Sequence, residues 1–280
     1  MERIARSLLF VPGDRPERFD KAAASGAHEV VLDLEDAVAA AAKDSARDAV
    51  AAWLGAGKHA SVRMNAADTS WFGRDLAMLQ ALPGAGVMLP KAEPEALAAV
   101  AQALPGRRII ALLETVKGYL ELRRLAGVPG VSRIAFGSVD FGIESGIADE
   151  ADAMTGIRTQ IVLECRHAGL AAPIDGVSVE LNDETLMRAH ALRSIQLGFG
   201  GKLCIHPRQV AAVNAAFRPD PAQVDWARRV LAAFESSGGA ATAVDGKMVD
   251  KPVVERARRI MAEADVDAGA RGGAPAPGGG

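Results

Sequence analysis

The chain has 280 residues, a formal net charge of −3 and an apolar content of 49%. This length suits one large core, and α/β barrels of this size fold undivided. The sequence shows no basic stripe and only 4% aromatic residues, which argues against nucleic-acid binding, since that function uses Lys/Arg clusters and stacking aromatics.

The cysteine content and the hydropathy pattern indicate a cytoplasmic protein. The two cysteines, Cys165 and Cys204, lack the spacing of metal ligands and are expected to be packing residues in a reducing compartment. The apolar run from Ser7 is too short for a signal peptide. No segment approaches the roughly 20 apolar residues of a membrane span. We therefore expect no membrane partner.

Eight short runs of apolar or β-branched residues predict eight strands. Most are continuous rather than alternating, which is typical of strands buried on both faces of a parallel sheet. In chain order they are SLLFVPG from Ser7, EVVLDLED from Glu29, ASVRMN from Ala60, GVMLPKAE from Gly86, RIIALLET from Arg108, RIAFGSVD from Arg133, APIDGV from Ala172 and GKLCIHP from Gly201. Helical patterns lie between them, so the sequence predicts a (β/α)8 TIM barrel over residues 1–217.

An open, doubly wound sheet is the alternative fold. Such a sheet usually carries a glycine-rich phosphate loop after its first strand. The segment FVPGDRPERF, which begins at Phe10, does not match G-x-G-x-x-G. The barrel is therefore favoured.

A C-terminal helical extension, residues 218–265, is predicted after the barrel. Pro221 opens one helix, and Pro252 lies in the first turn of the last helix, where proline is favoured. The glycine-bearing segment between the two helices is expected to be flexible and to act as a lid. The Gly/Pro/Ala-rich tail, residues 266–280, is expected to be disordered.

Polar side chains stand at the predicted carboxyl end of nearly every strand. They are Asp33, Glu35, Asp36, Arg63, Asn65, Lys91, Glu93, Glu114, Asp140, Asp175 and His206. Strand ends meet water, so one polar residue there would be unremarkable. The whole set, with both charges interleaved, indicates a functional site, because TIM barrels carry their sites at this end.

Glu114 and Asp140 are the predicted metal ligands. They end the fifth and sixth predicted strands, and neighbouring strands lie about 4.8 Å apart, so both carboxylates can reach one ion. Two oxygen ligands without Cys or His suit Mg²⁺, which keeps several waters and takes other ligands from substrate. Alternatively, one carboxylate forms a salt bridge with Arg63 or Lys91.

Three cations surround this pair in the projected ring, namely Arg6, Arg63 and Lys91. A divalent metal beside a guanidinium suits a 2-oxo acid or an enolate, because the metal chelates the oxygens and Arg holds developing negative charge. Lys91 as a Schiff-base nucleophile is the alternative. That role needs a lowered pKa, whereas the neighbouring carboxylates raise it.

Seven motifs in order resemble the citrate lyase beta-subunit-like branch of the HpcH/HpaI aldolase family. They are RSLLFVPGDRPERFDKA, VVLDLEDAV, VRMN, MLPKAE, LLETVKG, GKLCIHP and VDGKMVDKPVV. The resemblance, from Arg6 to about Glu263, implies a barrel lyase that binds Mg²⁺, usually as a homotrimer. It implies cleavage or formation of the C–C bond of a citryl-, malyl- or citramalyl-CoA type ester, with acetyl-CoA and a 2-oxo acid as products.

The resemblance also assigns residue roles. Glu114 and Asp140 match the metal ligands, Arg63 matches the substrate arginine, and Arg6 is similar to an oxo-acid or thioester contact. The sequence departs from the family pattern at Val139, where many relatives have an acidic residue before the aspartate. The identity of the acyl group therefore stays open.

Four further residues are implied to serve the same site. Glu35 and Asp36 are expected to bind metal-ligated water or to orient basic residues such as Lys91. Asp250 matches an acid/base delivered from a neighbouring subunit, although its place before the last helix also suits an N-cap. His206 is expected to orient the last loop, with direct proton transfer as the alternative.

Two other functions remain open. One is thioester hydrolysis, in which water attacks the acyl carbon of a malyl-CoA-type ester in the same site. The other is a role as the beta subunit of a multi-subunit citrate lyase that needs an acyl-carrier partner.

Overall fold

The structure, a computed structural model, describes residues 5–150 and 152–271. The described chain falls into two compact units, which meet in sequence between Phe217 and Arg218. Each unit has its own apolar core. No helix of the described part is long and apolar enough to cross a membrane.

Eight parallel strands close into a barrel in sequence order, and the eighth strand pairs with the first. The strands are β1 (Ser7–Pro12), β2 (Glu29–Asp33), β3 (Ser61–Arg63), β4 (Gly86–Leu89), β5 (Ile109–Leu113), β6 (Val131–Phe136), β7 (Ile174–Asp175) and β8 (Gly201–Cys204). The prediction of a (β/α)8 TIM barrel is thereby confirmed.

Ten helices, rather than the predicted eight, accompany the barrel strands within the described residues. They are α1 (Phe19–Ala23), α2 (Lys43–Gly55), α3 (Phe72–Gln80), α4 (Pro94–Ala103), α5 (Val116–Leu120), α6 (Leu122–Ala126), α7 (Ser138–Ser145), α8 (Thr155–His167), α9 (Glu184–Leu197) and α10 (Pro207–Ala216). The difference arises after β5 and β6, because each strand is followed by two helices instead of one.

Two apolar layers explain why the strand sequences are continuous rather than alternating. One face of the strands fills the barrel interior with Leu8, Val31, Met88, Ile110, Leu112, Ala135, Ile174 and Leu203. The other face packs in a larger cluster that includes helix residues such as Leu97 and Val213. Burial on both faces removes the polar half of the usual strand pattern.

The second unit contains α11 (Pro221–Ser236), β9 (Thr242–Val244), β10 (Lys247–Val249) and α12 (Lys251–Arg271). The strands form an antiparallel hairpin, which the sequence pattern did not predict, and the action of this segment as a flexible lid stays a prediction. Asp245 and Gly246 both adopt positive φ, which suits the tight turn favoured by an Asp-Gly pair. The helix α12 extends into the predicted disordered tail, and residues 272–280 lie outside the described residues.

Candidate active site

Charged side chains meet where several consecutive barrel strands end. Arg63 is the last residue of β3, and Glu114 directly follows β5. Glu35 lies two residues beyond β2, and Lys91 two residues beyond β4. The carboxyl ends of parallel strands share one end of a barrel. Contacts among these four residues establish that they form one cluster.

Arg63 is held by two carboxylates. Its Nε and Nη2 donate to the two carboxylate oxygens of Asp33 at 2.7 and 2.6 Å, and its Nη1 lies 3.0 Å from Glu35 Oε2. Burial on its own would lower the pKa of Arg63, but the hydrogen bonds and charge of Asp33 raise it. The guanidinium is therefore fixed in position and stays charged.

Lys91 joins Glu35 and Glu114. Its Nζ donates to Glu35 Oε1 at 2.7 Å, and its backbone N–H donates to Glu114 Oε1 at 2.7 Å. Burial alone would lower the pKa of Lys91, but the hydrogen bond to Glu35 and the nearby carboxylates raise it. This direction is opposite to the one that a Schiff-base lysine requires.

Glu114 is 2% exposed, and its second carboxylate oxygen has no hydrogen-bond partner. Burial, followed by repulsion from Glu35, raises the pKa of Glu114 to about 8. A buried carboxylate oxygen without a donor is costly unless a cation lies beside it. The unpaired oxygen thus marks where a metal ion fits.

Asp140 lies in the first turn of α7, four residues beyond the end of β6, and not at the strand end as predicted. It nevertheless lines the same cavity as Glu114 and Arg63, and its charge helps to raise the pKa of Glu114. The short turn from β6 into α7 therefore brings the two predicted metal ligands together.

The cavity has a volume of about 60 Å³ and is open to solvent. Two glycines keep it clear. A Cβ at Gly137 would lie 2.5 Å from Glu114 Cβ, and a Cβ at Gly176 would lie 2.2 Å from Ser138 Oγ. The Ser138 hydroxyl is buried without a hydrogen-bond partner and lines the cavity, so it is available to a bound molecule.

The charges of this cluster fit a divalent cation. With every group ionised, two cations and four carboxylates sum to 2 − 4 = −2; the groups are Arg63, Lys91, Asp33, Glu35, Glu114 and Asp140. Among the described residues, no group of three or more Asp, Glu, His or Cys side chains is arranged to hold a metal. Two carboxylates suffice for Mg²⁺, because it keeps water and substrate oxygens in its shell.

Three predicted residues lie outside the hydrogen-bonded cluster. Arg6 precedes β1. The start of a strand is separated from its carboxyl end by roughly 3.3 Å per residue, so Arg6 lies at the end of the barrel opposite to the cluster. The structure does not bring Arg6 to the cluster. Asp36 is exposed and acts on Lys91 only through its charge. His206 caps α10, with Nδ1 accepting from the Arg208 N–H at 3.2 Å.

Asp250 belongs to the second unit. Its carboxylate accepts a hydrogen bond from the Val253 N–H at 3.3 Å, and its carbonyl accepts one from the Val254 N–H at 3.0 Å. Asp250 therefore caps the first turn of α12, as one of its two expected roles required.

Two further residues of the site, Asp33 and Ser138, have no role predicted from the sequence. Asp33 was recognised only as a polar strand end, whereas its side chain orients Arg63. Asp33 and Arg63 pair directly in the register of β2 and β3. An alignment of the two predicted strands would have placed these residues side by side. Ser138 carried no signal in the sequence, because its importance comes from its burial beside Gly176.

The chain is similar to known proteins of one family. The family model for HpcH/HpaI aldolase/citrate lyase matches residues 6–207. A citrate lyase subunit beta-like protein of Mycobacterium tuberculosis is 39% identical over 263 residues, which are 91% of this chain and 94% of that protein. A (3S)-malyl-CoA thioesterase of Cereibacter sphaeroides is 34% identical, over 95% of this chain and 96% of that protein.

A solved structure shows the same architecture. The CitE protein of Mycobacterium tuberculosis, in complex with magnesium, acetoacetate and coenzyme A, aligns with a TM-score of 0.80 and 36% identity. The alignment covers 94% of this chain and all of that chain. The likeness therefore extends beyond the barrel strands to nearly the whole chain.

Proposed function

Because the chain belongs to the HpcH/HpaI aldolase/citrate lyase family, we propose that it is a Mg²⁺-dependent CoA-ester lyase. It cleaves or forms the C–C bond of a 3-hydroxyacyl-CoA ester of the citryl-, malyl- or citramalyl-CoA type. The products of cleavage are acetyl-CoA and a 2-oxo acid. The observation that carries this proposal is the buried, unpaired Glu114 oxygen beside Asp140 and Arg63.

Glu114 and Asp140 would hold Mg²⁺. When bound, the ion supplies Lewis acidity toward the carboxylate and carbonyl oxygens of the oxo acid. Lys91 positions Glu114 through its backbone N–H, and its ammonium engages Glu35. The carboxylate of Glu114 is thus held in place before substrate arrives.

Arg63 stabilises negative charge at the thioester. As the C2–C3 bond of the ester breaks, the electron pair passes to the acyl-CoA part and forms an enolate. The charged guanidinium, oriented by Asp33, faces the cavity in which this charge develops. Electrostatic stabilisation of this kind is often the largest catalytic contribution.

Asp250 is proposed as the acid/base. It removes the proton of the 3-hydroxyl group, whose oxygen becomes the carbonyl oxygen of the oxo acid. The same carboxyl group then gives this proton to the enolate carbon, which completes acetyl-CoA. The proposal that Asp250 acts from a neighbouring subunit of a homotrimer rests on the family resemblance. Cytoplasmic localisation likewise stays a prediction.

A panel of citryl-, malyl- and citramalyl-CoA, each tested with Mg²⁺ and with EDTA, examines this function. The lyase should form acetyl-CoA and an oxo acid from at least one ester, only with Mg²⁺. Release of free CoA without acetyl-CoA would favour a thioesterase, which is the activity named for the relative from Cereibacter sphaeroides. Inactivity of the purified chain that is relieved only by an acyl-carrier partner would favour the multi-subunit alternative.

A further inference from the structure

Helix α2 buries two cations beside the segments that follow β2 and β3. Lys43 opens the helix and Arg47 lies one turn later, so both side chains belong to one face. They are 6% and 8% exposed. Lysine and arginine are almost never buried this deeply unless they are paired. The groups that pair with them therefore show what this face of α2 holds in place.

Lys43 binds the backbone that leaves β2. Its Nζ donates to the carbonyl oxygens of Leu34 and Glu35, the two residues directly after the strand, at 2.7 and 2.8 Å. Nζ also lies 5.2 Å from the centroid of the Trp71 ring, within the range of a cation–π contact. Lys43 thus fixes the stretch of chain from which the Glu35 side chain projects.

The backbone of Glu35 is held on both sides. Its N–H donates to Asp33 Oδ1 at 2.9 Å. Its carbonyl oxygen accepts from the Val38 N–H at 2.9 Å as well as from Lys43. The backbone donor and acceptor of this residue are therefore both satisfied, and its side chain is left to reach the cluster.

Glu35 transmits this placement to the two cations of the cluster. Its carboxylate lies 3.0 Å from Arg63 Nη1 and accepts from Lys91 Nζ at 2.7 Å. Hydrogen bonds of this kind weaken quickly when the distance or the angle changes. Arg63 keeps its hydrogen bonds to Asp33 when Glu35 moves, so Lys91 is the more sensitive reporter of the position of Glu35.

Arg47 acts in a similar way on the segment after β3. Its Nε donates to Asp75 Oδ1 at 2.7 Å. Asp75 Oδ2 accepts from the Asn65 backbone N–H at 2.8 Å and from the Asn65 side-chain amide at 2.6 Å, and Asn65 lies two residues beyond the end of β3. One face of α2 therefore fixes two successive segments at the carboxyl end of the barrel. Of the two cations, Lys43 is bonded directly to a residue of the cluster.

We propose that Lys43 is a positioning residue of the active site, which places the Glu35 carboxylate between Arg63 and Lys91 by binding the backbone after β2. This inference rests on the proposed function and adds a residue to its site. Among the described residues that line the cavity at Glu114, Lys43 is absent. It therefore acts through Glu35 and not on the substrate.

Acetylation of Lys91 measures the placement of Glu35 without turnover. The folded chain in EDTA is treated with limiting acetic anhydride, and peptide mass spectrometry compares the modification of Lys91 with that of the exposed Lys117. Only the free amine is a nucleophile, so a bond to Glu35 slows the reaction. Glu35→Gln should raise the labelling about tenfold, the equivalent of one hydrogen bond between charged groups, and Lys43→Met should give most of that rise.

Three variants control this measurement. Lys21→Met changes an exposed lysine of α1 and should leave the labelling of Lys91 unchanged. Lys43→Arg retains a cation with several N–H donors and should keep the labelling near that of the wild type. Lys43→Gln retains an N–H donor and replaces Lys43→Met if that variant does not fold, with a rise expected in the same direction.

A purely structural Lys43 would behave differently. Its replacement would lower the Tm of the chain and leave the labelling of Lys91 at the wild-type rate. That result in a folded Lys43→Met or Lys43→Gln chain would overturn the proposal. So would the absence of a rise in Glu35→Gln, because Glu35 would then not hold Lys91.

Kinetics show whether Lys43 acts through Glu35. In acetyl-CoA formation with Mg²⁺, Lys43→Met should lower kcat about tenfold, since small misplacements of groups in a site are costly. The same substitution in a Glu35→Gln background should change kcat little, because the two changes share one route. Equal fold losses in both backgrounds would contradict the proposal. If the labelling of Lys91 responds as expected but the wild type cleaves no ester, the lyase proposal fails and the positioning of Glu35 by Lys43 stands.

Discussion

Lys91 illustrates what is decided at the scale of single residues. It adopts a positive φ of 45°, which costs an L-residue on the order of 1–2 kcal/mol. With this backbone, its N–H donates to Glu114 and its ammonium to Glu35. Such strain tends to persist at functional sites. The sequence predicted that Lys91 lies at the site, but a dihedral angle set by neighbouring contacts leaves no trace in the residue pattern.

The geometry of Lys91 leads to the first prediction. Borohydride added during turnover should trap no covalent adduct, because the raised pKa keeps Lys91 as an ammonium ion bonded to Glu35, and an ammonium is not a nucleophile. Mass spectrometry of the intact chain provides the measurement. A stable substrate-derived mass increase on Lys91 would show that the reaction proceeds through an imine.

Glu114 leads to a prediction about pH. Its pKa rises from an ordinary 4.5 to about 8 in the folded chain, so the folded state binds this proton more tightly than the unfolded state. The stabilisation is fully present below pH 4.5 and is lost as the pH rises through 8. In EDTA, the Tm of the wild type should therefore fall relative to that of Glu114→Gln between pH 5 and pH 8.5.

Differential scanning calorimetry at several pH values tests this expectation. Mg²⁺ should reduce the difference, because a bound cation offsets the charge on Glu114. Parallel Tm curves for the two proteins in EDTA would mean that Glu114 is not held in an environment that penalises its charge.

At the scale of elements, the sequence was most informative for the barrel strands and least for the connections. Continuous apolar runs identified all eight strands, because burial on both faces leaves a strong signal. The division of two connections into two helices each was missed. So was the β9–β10 hairpin, although Asp245-Gly246 is a strong turn signal. Its flanking residues are partly exposed, so the apolar alternation that announces strands was weak.

The N-cap of α12 carries the prediction at this scale. Asp250→Asn should preserve the fold, since asparagine is an equally good N-cap, but should lose about 10²-fold or more in kcat as the acid/base is removed. Asp220→Asn is a matched control, because Asp220 caps α11 through the Ala222 N–H and has no proposed catalytic role. Unchanged kcat in Asp250→Asn would leave the residue with its capping role alone.

At the scale of the whole molecule, the barrel order decides which strand ends become neighbours. Residues predicted at separate strand ends, such as Arg63 and Glu114, converge because β1 to β8 close in sequence order. Arg6 shows the limit of this reasoning, since a residue that opens a strand lies at the opposite end. The pairing of Arg63 with Asp33 required the strand register, which single-sequence patterns do not give.

Subunit mixing tests whether the assembled molecule shares its sites. Asp250→Asn and Arg63→Ala protomers, each strongly impaired alone, should regain part of the activity when mixed, because some oligomers then contain one intact composite site. Subunit exchange is verified with differently tagged chains. Absence of recovery despite exchange would mean that Asp250 acts within its own chain or has no catalytic part.

The most direct measurement for the proposed lyase is the yield of acetyl-CoA from its best 3-hydroxyacyl-CoA ester. The wild type and Glu144→Gln, an exposed carboxylate change on the same helix as Asp140, should form acetyl-CoA and oxo acid one to one with Mg²⁺. Folded Glu114→Gln and Asp140→Asn should form neither, because each lacks one of two charged metal ligands. Near-normal yield from either folded variant at ordinary Mg²⁺ would contradict the account.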